Sequence, residues 1–189
     1  MTRILPLLAL CATLLVAGCA ATPPSTTHLS QKNQIEQLNT GIAALGTEVD
    51  PEEAARAARI AYEYTAILKV QYQIVDPPLV HNTKVNMGIK PRGLCKDWAD
   101  DLEARLKLEN FKTLSLHRAI ANSDSMFLIE HSTVIVSRRG DEMNQGIVLD
   151  PWRYGGTLFW ASVLEDPKYK WIPRQQVFAM KRARDARRR

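Results

Sequence analysis

From Gln34 onward, the apolar residues Ile35, Leu38, Ile42 and Leu45 recur three or four positions apart, and Gly46 closes the run. That spacing lines one stripe of a helix. A longer amphipathic pattern follows in DPEEAARAARIAYEYTAILKVQYQIV, where Asp50 reads as the N-cap and Pro51 suits the first helical position. Glu52 and Glu53 complement the positive end of the helix dipole, and the helix is expected to reach about Tyr72. Asp76-Pro77-Pro78 breaks it, so residues 76–92 read as a long loop. After Gly93 the register is helical again, with Leu94, Trp98, Leu102 and Leu106 one turn apart. Beyond Asn110 the pattern turns to strand: KTLSLHRAI, MFLIEHSTVIVSR and QGIVLDPW, separated by the turn signals Asn122-Ser123-Asp124 and Arg139-Gly140-Asp141. The order predicts an α+β fold in which N-terminal helices and a cysteine-bearing helix pack on a small antiparallel sheet.

The first 19 residues, MTRILPLLALCATLLVAGC, stand apart from this domain. One basic residue, Arg3, precedes an apolar run from Ile4 to Ala17 that is short for a bilayer span and has the order of an export signal. Its end, LVAGC, resembles the lipobox of bacterial lipoproteins. The resemblance implies that residues 1–18 are a signal peptide and that Cys19 carries the lipid which anchors the chain to a membrane. Ala20 and Ala21 follow with no aspartate, which by the same resemblance implies, in a Gram-negative cell, an outer-membrane lipoprotein facing the periplasm. The Pro/Ser/Thr-rich stretch after it reads as a flexible tether over 19–33. The domain is expected over 34–178, with a basic tail over 179–189.

Composition suits a soluble core, with 46% hydrophobic and 24% charged residues. The formal net charge of +5 changes meaning once it is located. KRARDARRR, at the C-terminus, holds six basic residues and one acid, so the body is left near neutrality. Nucleic-acid binding would need a basic face with interleaved aromatics in that body, and none is apparent. The tail reads as a solvated end or as an electrostatic contact with anionic lipid.

Of three cysteines, Cys11 lies in the signal and Cys19 in the lipobox, which leaves Cys95 as the mature thiol. It stands in GLCKDWADDL at a predicted helix start, where unpaired N–H groups favour a thiolate. A nucleophilic thiol needs a base and a third group to orient it. His28 lies in the tether and His81 in the expected loop, so the strand histidines His117 and His131 are the candidates. His131 belongs to a strand apolar on both faces, where a polar ring needs a partner. Asp150 ends the neighbouring strand, and Pro151 stops the ladder there. No acid stands at a matching strand end for His117. No histidine and cysteine spacing matches a zinc site, and no cofactor is called for.

GLCKDWA fits G-x-C-x-D-x-A, and with EHSTVIV and VLDPW the chain resembles the transglutaminase-like superfamily of papain-related cysteine enzymes over roughly residues 50–155. The separations of 36 and 19 residues between Cys95, His131 and Asp150 suit that resemblance. It implies Cys95 as nucleophile, His131 as general base and then acid, Asp150 as orienter and Asp97 as a structural carboxylate. The expected activity is hydrolysis of a peptide or amide bond in an envelope peptide or protein through a thioester, with transamidation left open. Ser132-Thr133 after the histidine and Trp152 after Asp150-Pro151 depart from the family pattern. They keep a non-catalytic binding module of the same fold as the alternative. The backbone N–H of Cys95 is the first oxyanion donor. In related folds a side-chain amide upstream is the second, and between Asn82 and Asn86 the nearer, Asn86, is preferred. Trp152, Tyr154 and Trp160 read as groove walls or as core.

Overall fold

A computed structural model describes residues 31–188. The lipobox with Cys19 and most of the tether lie outside the described residues. The tether's last residues, 31–33, are the first turn of α1 (Gln31–Ala43). The elements that follow are α2 (Pro51–Gln71), α3 (Pro78–Asn86), α4 (Cys95–Lys107), β1 (Leu114–Ala121), β2 (His131–Arg138), β3 (Ile147–Asp150), β4 (Phe159–Ser162), β5 (Ile172–Pro173) and α5 (Arg174–Ala186). The α+β expectation holds.

Local chemistry starts α2 as anticipated: Asp50 accepts from the N–H groups of Glu52 at 2.7 Å and Glu53 at 3.3 Å. Glu53 then ties the helix to the approach to the sheet by accepting from the N–H groups of Lys112 and Thr113 at 2.6 and 2.8 Å. The five strands are antiparallel in the order β4-β3-β2-β1-β5. Strand β2 is therefore central. On one face its Val134 and Val136 join Leu114 and Leu149 against Ala99, Leu102 and Leu106 of α4, with α1 and α2 stacked behind. On the other face Ile135 and Val148 pack with Tyr169 and Trp171 from the segment before β5. The sheet is thus covered on both sides, which explains why the middle of β2, Val134 to Val136, is apolar on both faces.

Four expectations need correction. Residues 76–92 are not one loop, because α3 forms inside them with Pro78 at its start. Strand β2 begins at His131, and the apolar stretch before it is irregular and exposed, with Phe127 94% exposed. The sheet has five strands, not three. The basic tail is not irregular: α5 carries the helix to Ala186, held by buried Val177 and by a Lys181–Glu130 ion pair at 2.5 Å.

Candidate active site

Cys95 is the first residue of α4, and the turn before it is built for close approach. Gly93 has φ +125°, and a Cβ there would lie 2.5 Å from Nε2 of His81. That His81 ring nitrogen is engaged with the carbonyl of Arg92 at 2.9 Å, and the buried ring supports the turn before Cys95. Trp98 donates from its indole to the Gly93 carbonyl at 3.1 Å. Asp97 accepts from the N–H groups of Gly93 and Leu94 at 3.1 and 3.0 Å. It is the structural carboxylate anticipated, closing the N-terminal turn that aims Cys95. As the opening residue of a helix, Cys95 has an N–H with no intrahelical acceptor. Its thiol lies 3.5 Å from the Glu130 carbonyl, one residue before His131.

His131 opens β2 and Asp150 ends β3. The register pairs Val134 with Leu149, which sets Asp150 beside the start of β2 on the face that His131 shares with Ile135. Nε2 of His131 and Oδ2 of Asp150 are 2.7 Å apart, and both residues are almost fully buried. An ionised carboxylate only accepts, so Nε2 carries the hydrogen. Nδ1 is buried and has no hydrogen-bond partner. With Nε2 engaged, Nδ1 is the nitrogen left for Cys95. Burial alone would push the imidazole down, but the hydrogen bond to Asp150, the neighbouring Cys95 thiol and the charge on Asp150 outweigh it and raise the pKa to about 9.

Three aromatic rings enclose this imidazole. The centroids of Trp152 and Tyr169 are each 4.7 Å from its own, and that of Trp171 is 5.3 Å away. Of the three aromatics flagged in the sequence, only Trp152 is at the site. Tyr154 is exposed beside Phe159, and Trp160 packs against the helical core with its indole donating to Tyr62 at 3.2 Å.

Arg153 is the partner that sequence reasoning missed. Its Nε donates to Oδ2 of Asp150 at 2.9 Å, and its two terminal nitrogens donate to Asp166 at 3.0 and 2.6 Å. The guanidinium also lies 3.7 Å from the Phe159 centroid and 4.7 Å from that of Tyr169. Burial would raise Asp166, yet Arg153, two backbone N–H groups and the Trp171 indole hold its carboxyl below the usual range. Asp150 is thus locked from behind while it holds His131 from the front. Position 153, three residues after Asp150, was the one available signal.

A cleft opens over Cys95 and His131. One half, about 600 Å³, is lined by Cys95, Asn82, Asn86, Arg118 and Arg174 among others; the other, about 670 Å³, is lined by His131, Trp152 and Tyr169 with apolar neighbours. Both asparagines are on α3. Asn82 is buried and its Oδ1 accepts from the Trp152 indole at 3.1 Å, which orients the amide. Asn86, one turn later, is exposed at the rim. His117 is remote in its contacts, engaged with the Ser137 hydroxyl at 2.8 Å. Among the described residues no group of three or more metal-ligating side chains is assembled. Comparison with known proteins finds no matching family model, no matching curated protein and no matching solved structure, so function must be argued from the site itself.

Proposed function

We propose that this chain is a cysteine hydrolase that cleaves a peptide or amide bond through a thioester on Cys95. The observation that carries the reading is His131, buried with Asp150 on one ring nitrogen, the other ring nitrogen left without a partner, and Cys95 near enough to raise its pKa. In this mechanism Nδ1 already holds the proton from the thiol near neutral pH, as the raised His131 pKa favours, and the thiolate sulfur attacks the carbonyl carbon. The oxyanion is received by the Cys95 N–H and by the side-chain amide of Asn82, whose burial and fixed orientation favour it over Asn86. The imidazolium returns its proton to the leaving nitrogen as the C–N bond breaks. Water then enters, gives a proton to His131 and resolves the thioester, and the thiol is regenerated. Asp150 and Arg153 keep the ring in the tautomer that every step requires.

The test is alkylation by iodoacetamide across pH. Modification of Cys95 that persists well below pH ~8.5, where an ordinary thiol is largely protonated, supports the reading. A thiol inert in the folded protein sinks it and leaves the non-catalytic cleft, which Ser132 lines beside Cys95, as the better account. The location proposed is the cell envelope, with lipid on Cys19 as the anchor and the outer membrane, facing the periplasm, as the site in a Gram-negative cell. Several acyl chains hold a protein stably where one would not.

A further inference from the structure

We infer that the amine half of the substrate, the part released when the thioester forms, bears a large apolar side chain next to the scissile bond. The inference rests on the thioester reading and assigns the two halves of the cleft. Leu79 and Ile129 line both halves and mark the divide. The acyl carbon bonds to Sγ, and its oxygen faces the Cys95 N–H and Asn82, so the acyl half lies on the Cys95 side. The leaving nitrogen takes its proton from His131, so the amine half lies on the imidazole side.

The two sides differ in kind. On the Cys95 side, cations face acids already present: Arg118 pairs with Asp100 and Glu103, and Arg174 lies 3.8 Å from Asp100. Charges answered within the chain discriminate weakly among ligands. The imidazole side is walled by Pro77, Pro78, Phe127, Leu128, Trp152 and Tyr169. Its one buried cation, Arg153, is committed to Asp150 and Asp166, and its other, Lys168, lies 5.3 Å from the Tyr169 ring centroid. Leu79, Phe127, Leu128 and Ile129 are 56–94% exposed there. An apolar side chain on the amine half covers this surface and places its nitrogen beside His131, whereas an acidic one finds only the exposed ammonium of Lys168, a solvated partner worth little.

The test uses product amines, so it needs no turnover. Binding of phenylalanyl-alanine amide, glycyl-alanine amide and glutamyl-alanine amide to the full chain is measured by NMR shift perturbation, with Trp152 and Tyr169 as reporters. Partial burial of a phenyl ring predicts binding about tenfold tighter for the phenylalanyl amide than for the glycyl one. Phe127→Ser should reduce that preference to about twofold; because the Phe127 side chain is exposed, the change removes no core, and Leu128→Ser serves as the second variant. Equal binding of the three amides, or tightest binding of the glutamyl one, overturns the inference. Alkylation of the same preparation separates it from the enzyme reading. A reactive Cys95 with no amide preference refutes the apolar amine half alone. An inert Cys95 removes the leaving group itself, and the inference falls with it.

Discussion

Asp150→Asn tests the central claim with little change in shape. The asparagine keeps an oxygen that can accept from Nε2 of His131 but carries no charge, and Arg153 keeps its two bonds to Asp166. In the native chain the His131 pKa stands at about 9 against an ordinary 6.5, a difference worth roughly 3 kcal/mol of preference for the charged ring. Burial opposes that rise, so losing the Asp150 charge should drop the midpoint by about two and a half units or more, to 6.5 or below. The assay is NMR titration of the His131 ring hydrogens. The same substitution has a consequence for stability. Because the folded pKa lies above the unfolded one, the contribution of His131 is complete below pH ~6.5 and is lost as pH rises through about 9. Chemical denaturation should therefore show the native chain losing up to about 3 kcal/mol between those limits, and the variant losing little. An imidazole that titrates near 6.5 in the native chain, or one unmoved by Asp150→Asn, refutes the account.

Gly93→Ala places a methyl group against His81 at a φ of +125°, so it should cost about 1–3 kcal/mol in thermal denaturation and slow Cys95 alkylation by displacing the turn. Arg153→Met leaves the buried carboxylates of Asp150 and Asp166 without their cation, which should cost roughly 3–5 kcal/mol and raise the His131 midpoint; a neutral outcome in both would make the arginine incidental. Cys19→Ser should release the protein from the membrane fraction. Truncation after Lys181 keeps the ion pair with Glu130 and should leave the chain membrane-bound; if instead the truncated chain washes off while the serine variant stays, the C-terminal helix is the anchor.

Periodicity alone located α1, α2, α4 and the cores of β1, β2 and β3, because each buries one stripe or face in a repeating pattern that local sequence must carry. It also singled out Cys95, His131 and Asp150, since a thiol at a helix start, a histidine in an apolar strand and an acid before a proline are local signals. Helix α3 was hidden because Pro77-Pro78 reads as a break, and because its Leu79 lines the cleft and its Val80 is exposed, so neither marks a core. The apolar run before His131 resembled a buried strand for the same reason: apolar character marks an exposed cleft wall as well as a core. Helix α5 was masked by its charge, because Val177 is its only buried residue.

What sequence by itself determined, then, was where most of the regular elements lie and which side chains are candidates for the site. Only the tertiary structure decided which of them meet. Arg153 reaches Asp166 across a segment that contains β4, and no local pattern encodes that pairing. Asn82 and Asn86 both line the half of the cleft that holds Cys95, but helix α3 docks Asn82 under Trp152 and leaves Asn86 at its exposed end. Nearness along the chain ranks Asn86 first, and no local pattern signals that Asn82 is the one held in place. Those choices follow from packing between distant elements, where burial and hydrogen-bond geometry select partners that sequence separation does not rank.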